Sequence, residues 1–140
     1  MTPKATGITE SALYVDDLER SVKFYEELLG ATQLVHEPGR FCALRVAPGQ
    51  VLLLFLRGSS TGPTDLGFGT IIGHDGSGPL HVCFGMGAGE VKVWESRLGE
   101  LGIPVESRVA WPRGATSLYF RDPDGHAVEL ATPGLWPDEA

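Results

Sequence analysis

Three polar residues stand where strand alternation turns them away from apolar neighbours: Glu10, His81 and Glu129. In the run Glu10 to Val15, the set Ser11, Leu13 and Val15 forms one row and leaves Glu10, Ala12 and Tyr14 on the other. In His81 to Met86, the core row is Val82, Phe84 and Met86, so His81 faces the other way with Cys83 and Gly85. Val128 and Leu130 flank Glu129 and turn it outward from the core in the same manner. A carboxylate so placed would be costly if buried without a partner. A histidine with two carboxylates, each from a separate strand, offers three facial ligands to a divalent cation and leaves positions open for a substrate. This mixed nitrogen and oxygen set predicts one divalent metal ion. It suits Fe, Mn, Ni or Co better than structural Zn, which prefers a closed site rich in thiolate or imidazole.

The elements that must position these residues repeat. Asp16-Asp17-Leu18-Glu19 reads as a capping-box helix start at Asp16, followed by an apolar stripe at Leu18, Val22, Tyr25, Leu28 and Leu29 and a stop at Gly30. A second stripe, Val91, Trp94, Leu98 and Leu101, stops at Gly102. Eight strands are expected: Ile8–Val15, Thr32–His36, Phe41–Val46, Val51–Leu56, Leu80–Met86, Val105–Val109, Ser117–Arg121 and Ala127–Thr132. The order is βαβββ twice. Glu10-to-Val15 matches His81-to-Met86 at an offset of 71, Leu29-Gly30 matches Leu101-Gly102 at 72, and Leu53-Leu54 matches Glu129-Leu130 at 76. Small, growing offsets are what loop insertions in a duplicated module produce. The fold class is therefore α+β: two tandem βαβββ modules forming a cup-shaped mixed sheet with the helices outside. Module one spans about 7–57, a glycine-rich linker 58–79, and module two about 80–133. In this frame Glu10 mirrors His81, and Leu53 mirrors Glu129.

Tyr119 depends on a turn. If Pro123-Asp124-Gly125 is a three-residue loop with Gly125 left-handed, Asp122 pairs with His126 and Tyr119 lies opposite Glu129; a four-residue loop turns Tyr119 away. Glycine at the bulge position favours the first. Trp111 and Arg113 border the cup, either lining a pocket for an anionic substrate or anchoring their loop. The segment Arg57–Pro79 holds seven glycines in 23 residues and reads as a linker able to cover the cup mouth, with His74 a mobile loop residue. His36 and His126 read as exposed. Cys42 and Cys83 sit in apolar strands and read as buried thiols of a reducing compartment.

Composition bounds the partners. The 140 residues make one ordinary domain, and the formal net charge of −7, with no basic run, disfavours nucleic acid and anionic membranes. The longest apolar run, Val51 to Leu56, is far shorter than the roughly 18 residues of a membrane helix. The start of the chain lacks a signal-peptide pattern, so a cytoplasmic protein is expected.

The stretches Tyr14-Val15-Asp16-Asp17-Leu18-Glu19-Arg20-Ser21, Phe24-Tyr25, His81-Val82-Cys83-Phe84 and Tyr119-Phe120-Arg121-Asp122-Pro123-Asp124-Gly125, ending at Glu129-Leu130, resemble the vicinal oxygen chelate superfamily. It includes glyoxalase I, extradiol dioxygenases, fosfomycin-resistance thiol transferases and bleomycin-binding proteins. The resemblance implies metal ligands at Glu10, His81 and Glu129, with a fourth ligand position at Leu53, which cannot ligate. The first of these positions is usually histidine in the family. A non-ligating fourth position points away from a glyoxalase I-like four-ligand site. Tyr119 stands ten residues before Glu129, the spacing of a tyrosine in extradiol dioxygenases. Their additional acid/base histidine has no counterpart in Ala110-Trp111-Pro112-Arg113-Gly114.

Together these features predict a divalent-metal-dependent enzyme acting on a small oxygenated molecule, with Glu129 and Tyr119 catalytic and Tyr119, Trp111, Arg113 and Leu53 contacting substrate. Glu129 or Glu10 is also placed to act as a base. The alternatives are a non-enzymatic module that sequesters a small molecule in the apolar cup, and a catalytically dead relative. Exposed sheet edges favour a homodimer.

Overall fold

The computed structural model describes residues 1–137. The chain forms two compact units, Met1–Ser77 and a second beginning at Gly78. The first contains β1 (Glu10–Val15), α1 (Leu18–Leu29), β2 (Thr32–Glu37), β3 (Phe41–Ala47) and β4 (Gln50–Leu56), then a short hairpin of β5 (Thr64–Asp65) and β6 (Thr70–Ile71). The second contains β7 (His81–Gly85), α2 (Val91–Glu100), β8 (Ser107–Ala110), β9 (Thr116–Arg121) and β10 (Ala127–Ala131). The sheets have matching orders, β1-β4-β3-β2 and β7-β10-β9-β8. In each, the first strand lies parallel to the last, and the remaining neighbours are antiparallel. All eight expected major strands are present, and the fold is α+β.

Each helix is the crossover that a parallel pair requires. α1 buries Leu18, Val22, Tyr25 and Leu28 in a core with Leu13, Val15, Cys42, Leu44, Leu52 and Leu54. Its stop is the expected one: Gly30 has φ 65° and donates its N–H to the Glu26 carbonyl. The start is one residue later than expected. Asp17, not Asp16, caps the helix, accepting the Arg20 N–H at 3.1 Å. Asp16 instead accepts from Arg57 Nη1 with both carboxylate oxygens, each at 3.1 Å. α2 closes with a Schellman turn: Gly102 (φ 69°) donates to the Gly99 carbonyl and Ile103 to the Leu98 carbonyl. Leu98 is fully buried.

Two strand starts differ from the sequence expectation by two residues, and no other limit differs by more than one. β1 begins at Glu10 because its pairing with β4 starts at Glu10 opposite Val51, so Ile8 has no ladder to join and is 82% exposed. The second strand of the second unit begins at Ser107 opposite Tyr119, not at Val105. The glycine-rich segment is also more ordered than expected, since it carries the β5–β6 hairpin and belongs to the first unit up to Ser77. Gly58 donates to Asp75, and Arg40 Nη2 donates to the Thr64 hydroxyl at 3.0 Å. Gly76 lies against Tyr14: a Cβ there would stand 2.4 Å from the Tyr14 ring.

His126 and Cys83 are corrections. His126 is fully buried, not exposed, because its Nδ1 accepts the Leu80 N–H at 2.8 Å and ties the entry of β7 to the β9–β10 turn. Cys83 is exposed, since it points away from the Phe84 row. Cys42 is buried as expected, and its thiol is pushed up to about 11, by burial first and then by Glu26 and Glu19.

The capping assignment predicts a contrast. Asp17→Ala should cost about 1 kcal/mol of stability through the lost cap. Asp16→Ala, which removes the exposed ion pair with Arg57, should cost about half of that or less. Urea denaturation of both variants checks this, and an equal loss would remove the distinction.

Candidate functional site

The polar face of the second unit is built by register. The turn after β9 is the three-residue form: Gly125 has φ 82° and the Asp122 N–H donates to the His126 carbonyl. Asp122 Oδ1 accepts the N–H groups of Asp124 and His126, each at 2.9 Å. Glu129 therefore pairs with Tyr119 on one side and with Cys83 on the other. The row Cys83, Glu129, Tyr119 faces away from the Phe84, Leu130, Leu118 row of the core.

Glu129 is only 4% exposed, and its two oxygens have different roles. Oε2 accepts the Ser117 hydroxyl at 2.6 Å, and Ser117 Oγ in turn accepts the Trp111 indole N–H at 2.9 Å. Oε1 lies 3.3 Å from His81 Nε2. The other ring nitrogen of His81, Nδ1, stands 2.8 Å from the Ala127 carbonyl. A carbonyl only accepts, so Nδ1 carries the proton and fixes the ring. In the neutral ring Nε2 then presents a lone pair toward Oε1. Two lone-pair donors at that spacing need a cation between them: a proton on Nε2, or a metal ion. Ligands about 2.0–2.2 Å from a common ion and near a right angle apart are themselves about 3 Å apart, so the spacing is compatible with either case. A backbone carbonyl on Nδ1 is the usual outer support of a metal-binding imidazole.

Tyr119 lies beside this pair, its ring stacked on His81 with centroids 6.5 Å apart. Its hydroxyl pKa is raised from 10.0 by burial first and then by the Glu129 charge. It keeps its proton at neutral pH and is a hydrogen-bond donor there. Trp111 acts on the site through Ser117. Arg113 donates to the Leu135 carbonyl at 3.1 Å, which places it at the loop anchor. Ser117 was not anticipated, although it stands two residues before Tyr119 on the same face and alternation would have found it.

The equivalent face of the first unit holds Glu10, Ala12 and Tyr14 on β1, opposite Val51, Leu53 and Phe55 of β4. Leu53 is on this face, as expected, paired with Ala12 and Ala43. Glu10, Tyr14, Arg40, Leu53, Phe55 and His74 are among the residues that line a cleft of about 450 Å³. His74 is not a mobile loop residue. Its Nδ1 is 2.8 Å from the Tyr14 hydroxyl, its ring meets Phe55 edge-on at 4.5 Å, and its N–H donates to the Ser60 carbonyl. Sequence gave no signal for this, because the contact spans 60 positions. Tyr14 is raised above 10.0 by burial first, then by Asp75. Among the described residues, no group of three or more His, Cys, Asp or Glu forms an ion site.

The family model for the Glyoxalase/Bleomycin resistance protein/Dioxygenase superfamily matches residues 7–130, and the chain belongs to that superfamily. It is similar to the metallothiol transferase FosB of Bacillus licheniformis, with 30% identity over 135 residues, 95% of this chain and 79% of that one. It is also similar to the structure of lactoylglutathione lyase from Agrobacterium tumefaciens, with 34% identity, TM-score 0.87, and coverage of 96% of this chain and 99% of that one. An integron cassette protein from the mobile metagenome of the Halifax Harbour sewage outfall shares the fold at 26% identity and TM-score 0.73, over 91% of this chain and 99% of that one. No helix among the described residues is long and apolar enough to cross a membrane.

The raised Tyr119 pKa has a testable sign. Folding holds its proton on, so the group contributes stability below the ordinary value of 10.0 that is lost as pH rises through the higher folded value. Glu129→Gln removes the neighbouring charge and should bring the Tyr119 value down toward 10.0. Phenolate absorbance during titration, with Tyr119→Phe as the difference reference, reads this directly; an unchanged value would reject the coupling.

Proposed function

We propose that the protein is a divalent-metal-dependent enzyme of the glyoxalase/dioxygenase type acting on a small oxygenated organic molecule. The observation that carries this is the His81 Nε2 and Glu129 Oε1 pair, 3.3 Å apart, each held by a partner on its other atom. In this reading Glu10, the mirror of His81 at the offset of 71, is the third donor on the sequence repeat alone. The names of two relatives agree with this class, one a metallothiol transferase and the other a lyase. The nitrogen and carboxylate set suits Fe, Mn, Ni or Co.

A divalent ion bound there would polarise substrate oxygens as a Lewis acid. The residues supply the rest. Ala127 and Ser117 hold His81 and Glu129 in place, so the donors need no rearrangement when charge develops. The protonated Tyr119 hydroxyl donates a hydrogen bond to a developing oxyanion. Glu129 or Glu10, when not serving as a donor to the ion, is a carboxylate able to take a proton from the substrate. Leu53 contributes an apolar wall. A sequestering module is the competing function, and it requires no metal for ligand binding.

His81→Ala should abolish most of the divalent-metal affinity, since it removes the single nitrogen donor of the set. Elemental analysis and titration calorimetry measure it; stoichiometric metal retained by this variant would overturn the ligand assignment. Leu53→Glu should add a carboxylate at the position that mirrors Glu129, raising affinity or changing the preferred metal. We further propose a homodimer, which light scattering should show as twice the 15.0 kDa chain mass. Mixing Glu10→Ala with His81→Ala protein under exchange conditions then asks where the site is completed. Recovered metal binding means that two subunits share it, and none means that each chain completes its own.

A further inference from the structure

The indole of Trp111 reaches into the second sheet, where its Nε1 donates to Ser117 Oγ at 2.9 Å. An indole N–H only donates. It therefore takes an acceptor site of the Ser117 hydroxyl and leaves the hydroxyl proton for Glu129 Oε2, 2.6 Å away. The direction of the chain is fixed: Trp111 to Ser117 to Glu129. Ser117 is fully buried and Glu129 is 4% exposed, so water does not compete for either group. A short hydroxyl bond to a carboxylate is among the stronger kinds. Oε2 is thus reserved, and Oε1 is the oxygen left facing His81 Nε2 at 3.3 Å.

The loop that carries Trp111 is itself held. The Trp111 N–H donates to the Ala115 carbonyl, its carbonyl accepts from Gly114, and Arg113 donates to the Leu135 carbonyl. β9 is pinned at the same level, since the Thr116 N–H donates to Thr132 Oγ1 and the Thr132 N–H to the Thr116 carbonyl. The fold does not require the hydroxyl. At the offset of 76, Ser117 corresponds to Phe41 of the first unit and Glu129 to Leu53. Where the sheet carries a leucine, the neighbouring place carries a ring; where it carries a glutamate, the place carries a hydroxyl that the glutamate accepts.

We infer that Trp111 is a positioning residue of the metal site: through its N–H, and not its ring face, it directs Ser117 onto Oε2 and so aims Oε1 at the ion that His81 also binds. The role at the ion rests on the proposed function; the hydrogen-bonded chain stands without it, and two measurements separate them. The first uses ¹⁵N-labelled protein stripped of metal with a chelator, with the Trp111 indole N–H assigned by its loss in Trp111→Phe. That N–H should exchange with solvent more slowly than the one on Trp136, which is 70% exposed. Glu129→Gln, which does not touch the indole, should shift the Trp111 resonance and leave that of Trp94 in place. The second measurement is calorimetric titration with cobalt(II). Ser117→Ala should weaken binding by about tenfold or more, the size of an outer-shell loss. Trp111→Phe, which keeps a ring and removes the donor, should weaken it by roughly three- to tenfold, and the double variant should be no weaker than Ser117→Ala alone. Trp111 is 37% exposed, so its variant keeps the test available should Ser117→Ala fail to fold. An unprotected Trp111 N–H, or one unmoved by Glu129→Gln, would overturn the chain. Full cobalt affinity in Trp111→Phe, or additive losses in the double variant, would overturn the positioning role. A wild type that binds no cobalt while its indole N–H is protected overturns the metal reading and the role at the ion, and leaves the chain standing.

Discussion

The parallel pairing of the first and last strand of each unit is the constraint on which the rest depends. A parallel neighbour cannot be reached by a tight turn, so the chain must leave the sheet and return, and an amphipathic helix is the shortest way to cover the sheet as it does so. That places α1 on one face of the first sheet and commits Leu13, Val15, Leu52 and Leu54 to it. Once those rows are fixed, the alternate rows are fixed as well, because a shift of one residue would turn every apolar side chain outward. Glu10, Tyr14 and Leu53 in the first unit, and His81 and Glu129 in the second, are held on their faces by the burial of their neighbours.

Duplication then gives one backbone two chemistries. The central row of the second sheet is Cys83, Glu129 and Tyr119, and its counterpart in the first is Ala12, Leu53 and Ala43. Two positions away the contrast reverses, with aromatic rings in the first unit and Gly85, Ala131 and Ser117 in the second. His81 and Glu129 thus lie in the second unit and the aromatic rings in the first. The small residues near Glu129 have a local consequence too: Ser117, at the position of Phe41, is short enough to reach Oε2 and link it to Trp111.

The burial of Glu129 explains why that chain of hydrogen bonds exists. A carboxylate withdrawn from water loses more solvation than a single contact restores, unless its remaining lone pairs are occupied. Ser117 occupies one oxygen and His81 faces the other. The arrangement that makes the buried charge tolerable is also the one that aims both donors at a common point. Structural need and chemical capacity coincide in the same side chains.

Much of this was legible in the sequence. Alternation gave the faces of Glu10, His81, Leu53 and Glu129; the left-handed glycine in Asp122-Pro123-Asp124-Gly125 gave the turn that sets Tyr119 opposite Glu129; the spacing of the modules gave the repeated βαβββ order. These are local or periodic signals, which the chain writes within a few residues. What tertiary structure decided lies at longer range. His74 reaches Tyr14 and Phe55 through a folded segment, and His126 is buried because it accepts the Leu80 N–H across 46 positions. Asp17 takes the cap, and Asp16 is engaged instead by Arg57, 41 residues on. In each case an isolated polar side chain has several possible partners, and only the folded backbone determines which one stands within hydrogen-bonding distance.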